Sequence, residues 1–180
     1  ININETDLII GPLFKSSVMD VLNFTKSSKI PVVAPFANSE DLHSYENLII
    51  IETDDQIYAE KIAEEVLKSY GSQKIYIIGG ADKKYANSIK SSIEKQSKNA
   101  VVQIINSAND LALDTNMMTG QSAPIIAVLA DKSSSEATVF ANKLIEFSKD
   151  TPGIKAFSMY YAPIFDSKVN DLTKVNLVYL

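Results

Sequence analysis

One hundred and eighty residues, 46% hydrophobic and 22% charged, make a chain long enough to bury a core without disulfides or metal. The 17 basic residues, all lysine, face 22 acidic ones for a net charge of −5, which argues against duplex nucleic acid as a partner and removes the guanidinium fork that clamps phosphates and carboxylates. The absence of cysteine excludes disulfides, thiolate catalysis and cysteine-ligated zinc, and a single histidine makes any metal site depend on carboxylates.

The chain opens on Ile1 rather than methionine, and residues 1–7 are polar with no signal-peptide layout, so it reads as part of a longer chain. Leu8-Ile9-Ile10, closed by Gly11-Pro12, reads as a buried strand with a turn. A helix over 15–28 follows, with Ser16 or Ser17 as its N-cap. Ile30 to Pro35 is the next strand, with Pro31 near its start. Residues 38–47 form a polar loop, and Leu48 to Ile51 a third strand. Asp54 or Asp55 caps a helix to about Tyr70, whose stripe is Ile57, Ile62, Ala63, Val66, Leu67 and Tyr70, and Gly71 stops it.

Lys74 to Ile78 is a strand ending in Gly79-Gly80, and Tyr85 to Gln96 is a helix with Ile89 and Ile93 inward. Val101 to Ile105 is a strand, 106–122 a short helix or irregular turn, and Ile125 to Leu129 a strong strand. Ser134 to Ser148 is a helix with Ala137, Phe140, Ala141 and Leu144 on one face. Ile154 to Met159 and Val175 to Tyr179 are strands. The longest apolar run, Ala123 to Ala130, falls far short of the ~20 residues of a membrane span.

Strands and helices alternate, and the strands are continuous apolar runs. Both features predict a doubly wound parallel sheet, or sheets, in a three-layer α/β/α arrangement. Ligands of such sheets bind beyond the strand C-termini, here residues 11–17, 35–39, 79–85, 131–134 and 160–166. Gly79-Gly80 lacks the third glycine of a dinucleotide fingerprint and the Lys-Ser/Thr of a P-loop, so it reads as a tight turn. His43 reads as a surface histidine. The serines at 16, 17 and 133–135 have no nucleophile-elbow context, and Asp54-Asp55 reads as a helix cap at the positive end of a dipole. No catalytic residue, metal site or cofactor is expected. Tyr160-Tyr161, at a strand end, is a candidate ligand or partner contact.

Asp7-Leu8-Ile9-Ile10-Gly11-Pro12-Leu13 before a helix, Ile30-Pro31-Val32-Val33-Ala34-Pro35, Asn47 to Thr53 running into a long helix, and Lys74 to Ile78 before the Tyr85 loop together resemble the type 1 periplasmic-binding fold of the leucine/isoleucine/valine-binding-like receptors. The resemblance implies two α/β lobes hinged around a cleft. Residues 1–52 would be the later part of lobe one, and 53–180 lobe two with a terminal strand heading back toward lobe one; the opening strands of lobe one would lie outside this sequence.

The branch that binds branched-chain amino acids holds the ligand carboxylate with a serine and backbone amides after the turn. That serine position resembles Lys15, with Ser16 beside it, and the alanine and threonine of the next loop resemble Phe36 and Asn38. The lobe-two tyrosine resembles Tyr85, and the acid that pairs with the ligand ammonium falls near Tyr160 or Tyr161, neither of them acidic. An ammonium buried without its partner costs roughly 3–5 kcal/mol, which argues against a free amino acid.

A second branch, the envelope lipoprotein activators of penicillin-binding proteins with their LysM-linked relatives, is similar at Gly11-Pro12-Leu13-Phe14-Lys15 and at Asn170-Asp171-Leu172 with Val175-Asn176-Leu177. The resemblance thus implies a non-enzymatic periplasmic or otherwise extracytoplasmic domain that closes on a small polar ligand. Its ligand-binding candidates are Lys15, Ser16, Phe36, Asn38, Ser39, Tyr85 and Tyr160. The alternative is a cell-envelope scaffold or regulator of peptidoglycan synthesis that touches protein or cell-wall partners, its cleft degenerate and blocked by Lys15 or Phe36.

Overall fold

The computed structural model describes residues 2–180, which form two compact units, one up to Asp54 and the other Asp55–Leu180. In the first unit β1 (Ile9–Ile10), β2 (Val32–Ala34) and β3 (Leu48–Ile50) form a parallel sheet in the order β1-β2-β3. Helix α1 (Lys15–Thr25) places Val18 and Leu22 in a core with Val32, Ala34, Ala37 and Leu42. Side chains alternate across a strand, so the row Ile10–Val33–Ile49 points to the other face, where Ile10 and Ile49 are exposed.

Several expected boundaries in this unit move. The second strand starts at Val32, because Pro31 has no N–H for the ladder; its carbonyl still accepts from Ile9 at 2.9 Å. Ser16 and Ser17 lie inside α1 rather than capping it, since the helix already begins with the Val18 N–H bonded to the Phe14 carbonyl at 3.0 Å. The 38–47 loop contains a 3-10 turn, Glu40–Ser44.

The Asn47 amide ties the turn after α1 to the start of β3, donating to Thr25 Oγ1 at 3.2 Å and to the Ile30 carbonyl at 2.9 Å. Asn47→Ala leaves both acceptors short of a partner. It is expected to cost about 1–3 kcal/mol, to be read from urea denaturation, whereas a loss near zero would mean that water replaces the amide.

In the second unit β4 (Lys74–Ile78), β5 (Val102–Ile105), β6 (Ile125–Leu129), β7 (Lys155–Ser158) and β8 (Val178–Tyr179) form an all-parallel sheet in the order β5-β4-β6-β7-β8. Helices α2 (Asp55–Ser69) and α3 (Lys84–Gln96) cover the face made by Ile75, Ile77, Ile126 and Val128. Helices α4 (Ser134–Ser148), α5 (Pro163–Ser167) and α6 (Val169–Leu172) cover the face made by Tyr76, Ile78, Ile125, Ala127 and Leu129. Successive residues of β4 and β6 serve opposite cores, which is why these strands are apolar throughout. The expected doubly wound α/β fold is the fold observed.

Three local expectations need correction here, while the short helix or irregular turn expected over 106–122 is what the chain forms. Ile57 is exposed, and Ala59 joins Ile62, Ala63 and Val66 in the buried stripe of α2; Ile57 lies five residues before Ile62, about 140° around the helix. Gly71 does not supply the left-handed stop after α2. Ser72 does, at φ +85°, while the Gly71 N–H bonds Gln73 Oε1 at 2.6 Å. Residues 106–122 hold a 3-10 turn, Ala108–Asp110, and an isolated antiparallel bridge between Thr115 and Ser122. The final strand is only Val178–Tyr179, because Val175 is buried in a 3-10 turn and Asn176 is left-handed, at φ +47°.

Candidate functional site

In the second sheet the first strand of the unit, β4, is an inner strand: the chain moves to the edge strand β5 on one side and then to β6 on the other. The connections leaving β4 and β6 therefore diverge, and a crevice opens between them at the strand C-termini. It encloses about 300 Å³ and is lined by Gly79, Ala81, Asp82, Tyr85, Ala130, Asp131, Lys132 and Tyr160. A larger hollow of about 730 Å³ in the first unit includes Lys29, Pro31 and Asn47 at the opposite ends of their strands, which is not where α/β sheets hold their ligands.

The crevice walls are set by backbone geometry. Gly80 is left-handed at φ +60°, and a Cβ there would overlap the Asp131 carboxylate, so the two loops touch where a side chain would have to push Asp131 aside. Asp131 Oδ1 accepts from the Ser133 N–H at 2.7 Å, and Ser133 caps α4 through its side chain. Asp82 accepts from the Lys84 N–H at 3.0 Å, at the start of α3.

Tyr160 leaves the end of β7 and packs edge-on against Tyr58 of α2, with ring centroids 6.4 Å apart. Lys132 Nζ stands 4.7 Å above the centre of the Tyr160 ring and donates to Asp55 Oδ2 at 2.7 Å. The Tyr160 hydroxyl is buried and, among the described residues, makes no hydrogen bond of good geometry, although the Asp55 carboxylate lies near enough to act on it. Burial first, and then the negative charge of Asp55, push this phenol far above its ordinary range, so it stays a protonated donor.

Of the seven residues expected at the ligand, Tyr85 and Tyr160 share this crevice. The other five belong to the first unit. Lys15 donates to Asp41 at 2.7 Å, and that hydrogen bond with its charge holds the Asp41 carboxyl below its usual range; both groups are solvated. Ser16 is exposed on the first turn of α1, and Phe36 is 70% exposed beyond β2. Asn38 donates to the Glu52 carbonyl at 3.3 Å, and its Oδ1 pairs with His43 Nε2 at 2.8 Å. Ser39 Oγ is buried, with no hydrogen-bond partner among the described residues. Sequence reasoning treated Asp55 as a helix cap and did not single out Lys132 or Asp131, although residues 131–134 were marked as a strand end.

Among the described residues no group of three or more His, Cys, Asp or Glu side chains could hold a metal ion, and no helix is long and apolar enough to cross a membrane. No protein-family model and no curated protein matches the sequence. Solved structures do match.

Full-length LpoA from Haemophilus influenzae is similar over 96% of this chain at 13% identity, with a TM-score of 0.58. An ABC transporter substrate-binding protein from Desulfitobacterium hafniense covers 84% of it at 16% identity, TM-score 0.53. A periplasmic sugar-binding protein from Legionella pneumophila covers 96% at 15% identity, TM-score 0.51. The chain spans 32%, 46% and 66% of these three proteins respectively. Its parallel sheets, helix layers and structural neighbours together give this chain the type 1 periplasmic-binding-like fold.

Proposed function

We propose that the chain is a non-enzymatic, extracytoplasmic binding domain that takes a small polar ligand at its strand-end residues, with Tyr85 and Tyr160 as contacts in the second unit and Lys15, Ser16, Phe36, Asn38 and Ser39 as candidates in the first. One observation carries the reading. Among the described residues, the buried side-chain polar atoms without a hydrogen-bond partner of good geometry are Ser39 Oγ and Tyr160 OH, and both belong to residues that the sequence names as ligand candidates. A buried hydroxyl with no partner costs about 1–3 kcal/mol. A ligand that supplies the missing acceptor recovers that energy. The likeness to a substrate-binding protein and a periplasmic sugar-binding protein supports the same reading and the location.

The test is a thermal-shift screen of amino acids, short peptides, sugars and muropeptide fragments. A ligand present at ~100 times its dissociation constant adds roughly 2.7 kcal/mol. Tyr85→Ala is expected to weaken the hit by about tenfold or more, a difference near 1.4 kcal/mol. Unchanged affinity in both Tyr85→Ala and Asn38→Ala would remove the site assignment.

A second reading is an envelope scaffold that acts through protein contacts. Its support is the match to LpoA, described as a regulator of PBP1A, over 96% of this chain, together with the exposed Phe36 ring. A flat screen on folded protein would favour it.

A further inference from the structure

The chain has four methionines, and the fold sorts them into two kinds. Met159 is fully buried in the core beneath α2 and α3, and Met19 packs, partly buried, against the core of the first unit. Met117 and Met118 are 99% and 96% exposed. They are adjacent in the chain, and neither belongs to any of the three cores.

The loop that carries this pair is held by its backbone and by polar side chains. Thr115 and Ser122 form the isolated bridge, and their hydroxyls are 2.8 Å apart. The Ala123 N–H donates to the Asp114 carbonyl at 2.9 Å, and the Asn116 N–H to the Gln121 carbonyl at 2.8 Å. Asn116 Oδ1 accepts from the N–H groups of Met118 and Thr119 at 2.9 and 3.2 Å. Gly120, left-handed at φ +69°, donates its N–H to the Asn116 carbonyl at 2.8 Å. The Met118 backbone serves the turn, whereas the two thioethers stand in water. The connection enters β6 at its N-terminal end, while the crevice lies at strand C-termini.

A thioether differs from other apolar groups in carrying sulfur lone pairs, which react with electrophilic oxygen where solvent reaches them. We infer that Met117 and Met118 form a paired modification site, at which a peroxide converts both thioethers to sulfoxides while the fold is preserved. A sulfur lone pair attacks one oxygen of hydrogen peroxide, and the S–O bond forms as the O–O bond breaks. The proton on the sulfur-bound oxygen passes to the departing hydroxide, which leaves as water. Each sulfur is oxidised, and one peroxide reduced, by one electron pair. The product is polar and chiral. At Met159 it would bury a polar group in an apolar core, whereas at the loop tip it stays hydrated. The inference is independent of the crevice and of what binds there.

The experiment treats the folded chain with hydrogen peroxide and samples it over time. Cleavage after lysine separates the methionines: residues 16–26 carry Met19, 99–132 carry Met117 and Met118, and 156–168 carry Met159. Mass spectrometry of the three peptides reads the oxygen taken up. The 99–132 peptide is expected to gain both oxygens at least about tenfold faster than the 156–168 peptide gains its one, with 16–26 between them. In urea-unfolded chain, where no sulfur is shielded, the rates per sulfur are expected to converge. Protein oxidised at the tip alone is expected to keep the urea midpoint of the untreated chain. Replacing the pair, Met117→Leu with Met118→Leu, is expected to remove the fast phase of oxygen uptake. The peptide rates of the native chain decide the question whether or not that variant folds.

Similar rates for all three peptides in the folded chain overturn the inference. So does a preference for 99–132 that persists in urea, since the fold would then not be its source. A lower urea midpoint after oxidation at the tip alone also overturns it, because the thioethers would then be part of what holds the structure together.

Discussion

Phe140→Ala is expected to lower the stability of the second unit by about 3–5 kcal/mol. Phe140 is fully buried at the middle of α4 and belongs to the core that includes Tyr76, Leu129, Phe165 and Leu172. Deleting its ring removes the transfer energy of a large apolar group and leaves a cavity that the sheet backbone on one side cannot collapse to fill. Urea denaturation followed by circular dichroism reads the loss as a lower midpoint. Ile57→Ala on the exposed side of α2 is the internal contrast and is expected to stay within about 0.5 kcal/mol of the native chain. A Phe140→Ala cost below about 1 kcal/mol would mean that α4 is not seated on this face.

Gly80→Ala is expected to have the second largest effect, and it separates two sources of cost. An alanine held at φ +60° pays about 1–2 kcal/mol for the left-handed conformation alone. At Gly80 the new methyl group also meets the Asp131 carboxylate, so Asp131 must move and its 2.7 Å bond to the Ser133 N–H at the start of α4 is strained. Gly120 is also left-handed, at φ +69°, but a Cβ there meets nothing within 4 Å. Gly120→Ala therefore carries the backbone cost only, and Gly80→Ala should exceed it clearly in the same denaturation series. Equal costs would show that the loops after β4 and β6 do not approach each other as described.

The parts of the fold that could be read from the sequence are those where one physical signal acts alone. Lys74 to Ile78 and Ile125 to Leu129 are apolar without alternation because both of their faces are covered, and Ala137, Phe140, Ala141 and Leu144 recur at helical spacing because α4 buries one side. The misreadings occur where two signals compete. Ile57 looks like part of a stripe, but its angular position on α2 puts it in solvent. Val175 to Tyr179 is apolar enough for a strand, yet Val175 is drawn into the core by a turn and Asn176 reverses the backbone. The two short helices from Pro163 onward are not legible because five and four residues complete little more than one helical turn, too few for a period to repeat.

The candidate site divides in the same way. Tyr85 and Tyr160 were recoverable because a strand end is a local feature, marked by where an apolar run stops. Asp55 and Lys132 were not, because their 2.7 Å contact joins residues 77 apart and exists only through the order in which the strands are laid side by side. Asp55 carries an ordinary helix-start signature, and nothing in its neighbours reveals that its carboxylate faces a tyrosine ring and a lysine from another loop.

The strand order has a consequence for the time course of folding. Strand β6 pairs with β4, Lys74 opposite Ile125, across an excursion of the chain through α3, β5 and the long connection up to residue 124. Closing so long an excursion adds little to the free-energy cost, because loop entropy rises only with the logarithm of length. It lengthens the search, since non-local pairings are the slow ones. Both cores of the unit contain residues of β6, so neither layer is complete before that strand arrives. The crevice between the loops after β4 and β6 likewise exists only when that strand is in place.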